Sequence, residues 1–411
     1  MRRRTPNRAV LLSLFVLTAV GLGAAAAGAQ PTIISTTASD VGPLVRTEAI
    51  VQVGPNPIDT FRMTRLARDV PPDQLRGSIL FLPSLGTSFT LYEQRDASGA
   101  VGTSVAEFFA LRGYDVFGYS PRFEGIPAGS CELGLFDCSV MAGWDLQSML
   151  DDVSFIRDHI ESIHPGGEVV AGGLSLGGIL AVAVANADGA RYAGVFPWEG
   201  MLLSDDPAVQ ALNTGYCNDA QAQLAAGFYF DAVGTGVFKT VAQHAAANPE
   251  GLTPIPLFPP FLTNRQVLVT TLAVPTPGAV SMPVPGYILT AGDPATGELF
   301  FASARRLLRN VLTGFNNYTP TALTRDIPCA LAGIDDSHTA NLGAFTGSVL
   351  MIGGGRAFGG FMQDQLDAFT GASDRRLLLE PDFGHVDHFF SPRHRRYVER
   401  PILRWLRHVL R

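Results

Sequence analysis

A mostly parallel central sheet flanked by helices, the α/β class, with a segment inserted between two of its strands, is the fold that the sequence predicts. Three observations carry it. Between residues 78 and 200, short and almost wholly apolar runs alternate with stretches of helical period, the pattern of strands buried on both faces and joined by crossover helices. Within that region Gly173-Leu174-Ser175-Leu176-Gly177 joins the apolar run Val169-Val170-Ala171 to the helical stretch Gly178 to Ala185, a strand, a sharp turn and a helix. From residue 201 to about 345 the alternation stops, and Val349-Leu350-Met351-Ile352 then resumes it.

Residues 1–29 carry Arg2, Arg3, Arg4 and Arg8, an apolar stretch from Ala9 to Leu22, and Ala27-Gly28-Ala29 before Gln30. That is the layout of a secretory signal peptide with a small-x-small cleavage site. The apolar segment is short for a membrane anchor and no stop-transfer charges follow it. The expectation is therefore an exported protein, secreted or periplasmic, without a stable membrane anchor. The formal net charge is −7 for the whole chain, and −11 once the four arginines of the leader are left out. So acidic a chain is not a nucleic-acid binder. The remaining ~380 residues suffice for one large domain or a domain with an insertion.

Glu48–Gly54 and Thr60–Ala67 read as two strands parted by Pro55-Asn56-Pro57. Ser78–Leu82 is a buried strand running into Pro83-Ser84-Leu85-Gly86. Val101–Arg112 reads as a helix stopped by Gly113, and Tyr114–Tyr119 as the next strand. From Trp144 to Ile163, apolar residues at Leu146, Met149, Leu150, Val153, Ile156, Ile160 and Ile163 recur at three and four, an amphipathic helix. Tyr192–Pro197 follows as a strand. An alanine-rich helical part near 207–248 then gives way to apolar sequence broken by Pro254, Pro256, Pro259, Pro260, Pro275 and Pro277, which no continuous helix or central strand tolerates. Gly353-Gly354-Gly355 comes too late and with the wrong spacing for a dinucleotide fingerprint. Phe361–Phe369 reads as a helix, Arg376–Glu380 as the final strand, and Pro401–Leu410 as a terminal helix whose Leu403, Leu406 and Leu410 face the sheet.

All four cysteines, Cys131, Cys138, Cys217 and Cys329, lie beyond the leader. In an oxidising compartment disulfides are the expectation. Four cysteines allow three pairings. The short separation of Cys131 from Cys138 favours a local loop, which leaves Cys217 with Cys329.

Ser175 sits where a tight turn exposes its oxygen at a helix N-terminus, and a serine hydroxyl needs an imidazole to take its proton before it is a useful nucleophile. Phe383-Gly384-His385-Val386-Asp387, just after the apolar run Leu377–Leu379, supplies one. On these residues the chain resembles the α/β-hydrolase superfamily from about residue 45 to the C-terminus. The resemblance implies a nucleophile, acid and histidine in that chain order, with Ser175 and His385 matching the first and last. It implies residues 30–200 and 346–411 as the core and 201–345 as a cap or lid. It also implies that the backbone N–H groups of Leu176, after the nucleophile, and of Leu85, in the first loop, bind the oxyanion. Pro83-Ser84 stands there in place of the family's common His-Gly.

For the acid, two positions remain open. The commoner family position, after Val349–Ile352, holds Gly355 and Arg356, with Asp364 further on inside the following helix. A subset of the family places the acid after the strand that follows the nucleophile. Glu199, in Phe196-Pro197-Trp198-Glu199-Gly200, stands there, between a tryptophan and a glycine at a strand end. In the inserted segment Leu257, Phe258, Phe261 and Leu262 read either as a substrate-facing lid or as ordinary core of the insertion. His385, Asp387 and His388 lack a separated partner motif for a metal site. No metal or cofactor is expected.

The expected activity is hydrolysis, through an acyl-enzyme, of carboxylic esters with a hydrophobic part, as in esterases and lipases. The expected partner is a small-molecule or lipid ester. Other acyl hydrolysis or acyl transfer on the same three groups is one alternative. A non-catalytic binding protein of the same fold is another.

Overall fold

The computed structural model describes residues 30–96, 98–273, 282, 283 and 289–410. Residues 1–29, which the sequence reading takes as a leader, lie outside them. Nine strands form one sheet: β1 (Thr32–Val41), β2 (Leu44–Gln52), β3 (Thr60–Arg68), β4 (Ser78–Phe81), β5 (Asp115–Ser120), β6 (Val169–Leu174), β7 (Gly194–Trp198), β8 (Ser348–Gly354) and β9 (Asp374–Glu380). Their order is β1-β2-β3-β5-β4-β6-β7-β8-β9. The first four in that order pair antiparallel. From β5 to β9 every pair is parallel.

Parallel strands need crossovers, and the helices between them cover both faces. These are α1 (Val105–Ala110), α2 (Leu146–Ile163) and α3 (Leu176–Asp188), with α9 (Met362–Ala368) and α10 (Arg400–Val409) at the far end. Alternation along the strands divides the core in two. Leu80, Ala171, Val195, Val349 and Met351 face the α2 and α3 side with Ile156, Ile160 and Leu180. Ile79, Phe81, Val170, Phe196, Leu350 and Ile352 face the other, with Phe109 of α1 and Trp405 of α10. The terminal helix accordingly buries Leu403, Leu406 and Trp405.

Among the differences from the sequence reading, a helix start and a missed strand have plain physical reasons. The helix expected from Val101 begins only at Val105, where the Ser104 side chain accepts from the Glu107 N–H as its cap. It stops before Gly113, whose φ of +86° is open to glycine at little cost. Strand β1 gave no signal because its ten residues are exposed almost throughout as an edge on β2, so nothing demanded apolar alternation.

Between β7 and β8 the chain leaves the sheet. It forms α4 (Pro207–Ala225), α5 (Val233–Ala247), α6 (Asn264–Ala273), α7 (Ala304–Gly314) and α8 (Thr321–Leu331). A Cys217–Cys329 disulfide joins α4 to α8 across 112 residues, and Cys131–Cys138 closes the loop after β5. Among the described residues no helix is long and apolar enough to cross a membrane.

Closing a loop of that length is worth roughly 4 to 5 kcal/mol in the chain-entropy picture, against roughly 2 to 3 for the short loop. Replacing Cys217 and Cys329 together by serine is expected to lower stability in urea titration clearly more than replacing Cys131 and Cys138. Equal losses would contradict the loop-length explanation. Non-reducing peptide mapping checks the pairing itself.

Candidate functional site

Ser175 stands between β6 and α3, as the N-cap of the helix, with φ 61° and ψ −117°. Its N–H donates to the Trp198 carbonyl at 2.7 Å. Among the described residues only Ser175 and Glu199, apart from glycines, have positive φ. Such conformations cost on the order of 1–3 kcal/mol each and persist only where the surroundings enforce them. The flanking glycines show how they are enforced: a Cβ on either Gly173 or Gly177 would lie 2.2 Å from the Leu82 carbonyl oxygen. The turn is therefore pressed against the loop that follows β4. Tyr92 locks the two together, donating to the Leu82 carbonyl at 2.8 Å and accepting from the Leu174 N–H at 2.8 Å. Burial pushes that phenol's pKa well up, so it remains a donor. Sequence reasoning missed Tyr92, because a tyrosine in a single helical turn, Thr90–Glu93, carries no local mark of a long-range bridge.

Glu199 follows β7 directly, with φ 52°, and is wholly buried. Its N–H donates to the Ile352 carbonyl at 2.8 Å, fixing it against β8. Oε2 lies 3.0 Å from His385 Nδ1. Oε1 accepts from the Gly354 N–H. Burial pushes the carboxyl's pKa up, and the bond to His385, then the N–H groups of Gly354 and Gly359, oppose it. The glycines at the end of β8 make room for this: a Cβ on Gly353 would stand 3.3 Å from Glu199 Oε1, and one on Gly354 would lie 2.4 Å from the Phe383 carbonyl. A Cβ on Gly200 would lie 2.4 Å from the Ser175 carbonyl, so the turn carrying Glu199 rests on the serine turn itself.

His385 is buried, with its ring 5.0 Å from that of Phe358. Assigning the Nδ1 proton to the bond with Glu199 leaves Nε2 as the acceptor, the tautomer a general base needs. His388 is a core residue instead. Its ring is 4.9 Å from Phe383, neither nitrogen has a hydrogen-bond partner, and burial pushes its pKa down to about 3, with His385 a lesser cause. Asp364 accepts from the Asp205 N–H at 2.9 Å and from the Ser204 hydroxyl, holding the loop beyond Glu199.

Leu176 opens α3, where first-turn N–H groups point out of the helix end. Leu85 lines an apolar cleft of about 480 Å³, part of it open to solvent. Leu174, next to the serine, and Val386, next to the histidine, line it too. The other walls come from the segment between β7 and β8, chiefly Phe238, Leu272, Leu307 and Phe315. Leu257 and Phe261, by contrast, are 72% and 74% exposed, Phe258 and Leu262 are half-buried, and none of the four lines the cleft. The sequence did contain the better signal: Leu307 and Val311 fall one turn apart on one face of a helix otherwise rich in arginine. Among the described residues no group of three or more histidine, cysteine, aspartate or glutamate side chains is placed to hold a metal ion.

No protein-family model and no curated protein matches the sequence. Solved structures do match in fold. A lipase candidate from Sulfolobus solfataricus superposes over 91% of this chain and 99% of its own, with a TM-score of 0.63 at 14% identity. A soluble variant of monoglyceride lipase from Saccharomyces cerevisiae, in complex with a substrate analogue, superposes over 92% and 97%, with a TM-score of 0.51 at 10% identity. With its strand order and its mostly parallel sheet between two layers of helices, the chain has the α/β-hydrolase fold.

Proposed function

We propose that the chain is an exported serine hydrolase that cleaves carboxylic esters with a hydrophobic part through an acyl-enzyme. The observation that carries this reading is the buried Glu199–His385 hydrogen bond of 3.0 Å beside a serine in a positive-φ turn. Ser175 Oγ attacks the ester carbonyl as its proton passes to His385 Nε2, and Glu199 stabilises the imidazolium. The N–H groups of Leu176 and Leu85 hold the oxygen that becomes negative. Collapse expels the alcohol, which takes the proton from His385. Water, deprotonated by His385, then attacks the acyl carbonyl, and collapse breaks the bond to Ser175 Oγ, which takes the proton back from His385 as the acid leaves. The apolar cleft supports a hydrophobic acyl or alkyl part. The leader composition and two disulfides support export to the periplasm or beyond. In this reading residues 30–200 and 346–411 are the core and 201–345 the cap.

Ser175→Ala is expected to cut turnover of p-nitrophenyl esters by about 10³ or more, with the melting temperature little changed. Retained turnover, with contamination excluded, would sink the mechanism.

Glu199→Gln keeps the Gly354 bond but offers His385 Nδ1 no negative partner. Turnover at saturating substrate should fall by about 10² to 10⁴. Asp364→Asn keeps its acceptor for Asp205 and should change turnover by no more than about threefold. A silent Glu199→Gln beside a crippled Asp364→Asn would reverse the assignment of the acid.

His388→Phe replaces one ring by another among Phe383 and Tyr397 and should leave turnover within about threefold of the wild type. His385→Phe should abolish it. Loss of activity in a well-folded His388→Phe would show that the base has been misassigned.

A further inference from the structure

Asp387 takes no part in the steps above, yet it is wholly buried two residues beyond His385. Its Oδ2 accepts from the Gly384 N–H at 2.7 Å and from the Ala291 N–H at 3.0 Å. Its Oδ1 accepts from the Thr290 hydroxyl. Beside it, the Val386 N–H donates to the Leu289 carbonyl at 2.8 Å. Residues 289–291, where the segment between β7 and β8 returns towards the core, are thus fastened to residues 384–387 on both sides of His385. Oδ2 thus takes two backbone N–H donors and Oδ1 a hydroxyl, and Asp387→Ala would leave all three without their acceptor. The two fastened stretches also share a task, since Leu289 and Val386 both line the apolar cleft.

We propose that Asp387 is a positioning residue that makes the cleft wall and the catalytic histidine one rigid unit. The apolar part of a substrate packing against Leu289 and Val386 then settles the geometry of His385. The proposal rests on the ester-hydrolase reading of the site. A contact far from the reacting atoms raises turnover only where its energy is realised in the transition state, and a displacement of about 1 Å in a catalytic group costs about a hundredfold. With the clamp intact, a longer acyl chain should therefore gain in kcat. With the clamp cut, it should gain in KM alone.

The test compares wild type, Thr290→Val, Thr290→Ser and Asp387→Ala, with kcat and KM measured on p-nitrophenyl acetate and p-nitrophenyl octanoate well below each melting temperature. The rate at which a fluorophosphonate labels Ser175 is measured alongside. Thr290→Val and Asp387→Ala should lower kcat on the octanoate by about tenfold, lower it less on the acetate, and keep KM within about threefold. Thr290→Ser, which keeps the hydroxyl, should restore most of the loss. If Asp387→Ala does not fold, Thr290→Val still decides, because Asp387 keeps its two backbone donors there. Unchanged kcat and an unchanged octanoate-to-acetate ratio in Thr290→Val, whatever its melting temperature, would overturn the proposal and leave Asp387 a stabilising residue only. A wild type that labels but hydrolyses neither ester would refute the ester reading alone. In that case a labelling rate about tenfold lower in Thr290→Val supports the clamp, and an unchanged rate overturns it. A wild type that neither hydrolyses nor labels overturns both.

Discussion

A carboxylate with no exposure to water stands at the centre of this molecule, and most of what surrounds it serves to keep it there. Burying an unpaired charge costs several kcal/mol, and Glu199 avoids that cost through His385 Nδ1 and the backbone N–H groups of Gly354 and Gly359. Reaching those partners requires a positive φ at the end of β7, a glycine run at the end of β8, and a glycine after Glu199 that lets the Ser175 carbonyl come close. The strain at Glu199 and the strain at Ser175 are thus imposed by one set of contacts. Neither turn could relax without moving the other.

That coupling follows from the sheet order. Strands β6, β7 and β8 are neighbours, all parallel, so their C-terminal ends emerge on one edge carrying Ser175, Glu199 and the glycine run. The histidine loop after β9 arrives at the same edge. In open parallel sheets this is where loops converge. Here the loop after β4 is drawn in as well, because Tyr92 bridges it to the serine turn. Half of the residues lining the apolar cleft come from the segment between β7 and β8, so the cleft and the Ser175, Glu199 and His385 cluster are built from different parts of the chain.

Much of this was legible in the sequence where the physics is local. Apolar runs buried on both faces marked β4, β6 and β8, and a serine between glycines at a strand-to-helix junction marked the turn. Two cysteines seven residues apart pointed to a local loop. Glu199 was legible as the position where a subset of the resembled family places the acid, and as a charge at the end of an apolar strand. What stayed hidden depends on contacts between distant segments. Tyr92 acts across 82 residues on Leu174. Leu257 and Phe261 drew attention as apolar residues among prolines, but hydrophobicity does not tell which side of a segment faces inward, and theirs faces water. Asp387 lay within a recognised motif, yet its partners at Thr290 and Ala291 are about a hundred residues upstream.

The pairing of Glu199 with His385 is tested most directly by proton NMR of the ¹⁵N-histidine-labelled protein, which detects the imidazole Nδ1–H without relying on turnover. A proton held between a buried carboxylate and an imidazole resonates far downfield and exchanges slowly with water. The expected result is one such signal, coupled to the Nδ1 of His385, that is lost in Glu199→Gln and retained in Asp364→Asn. A signal that survives Glu199→Gln, or that disappears with Asp364→Asn, would contradict the assignment of Glu199 as the group that orients the histidine.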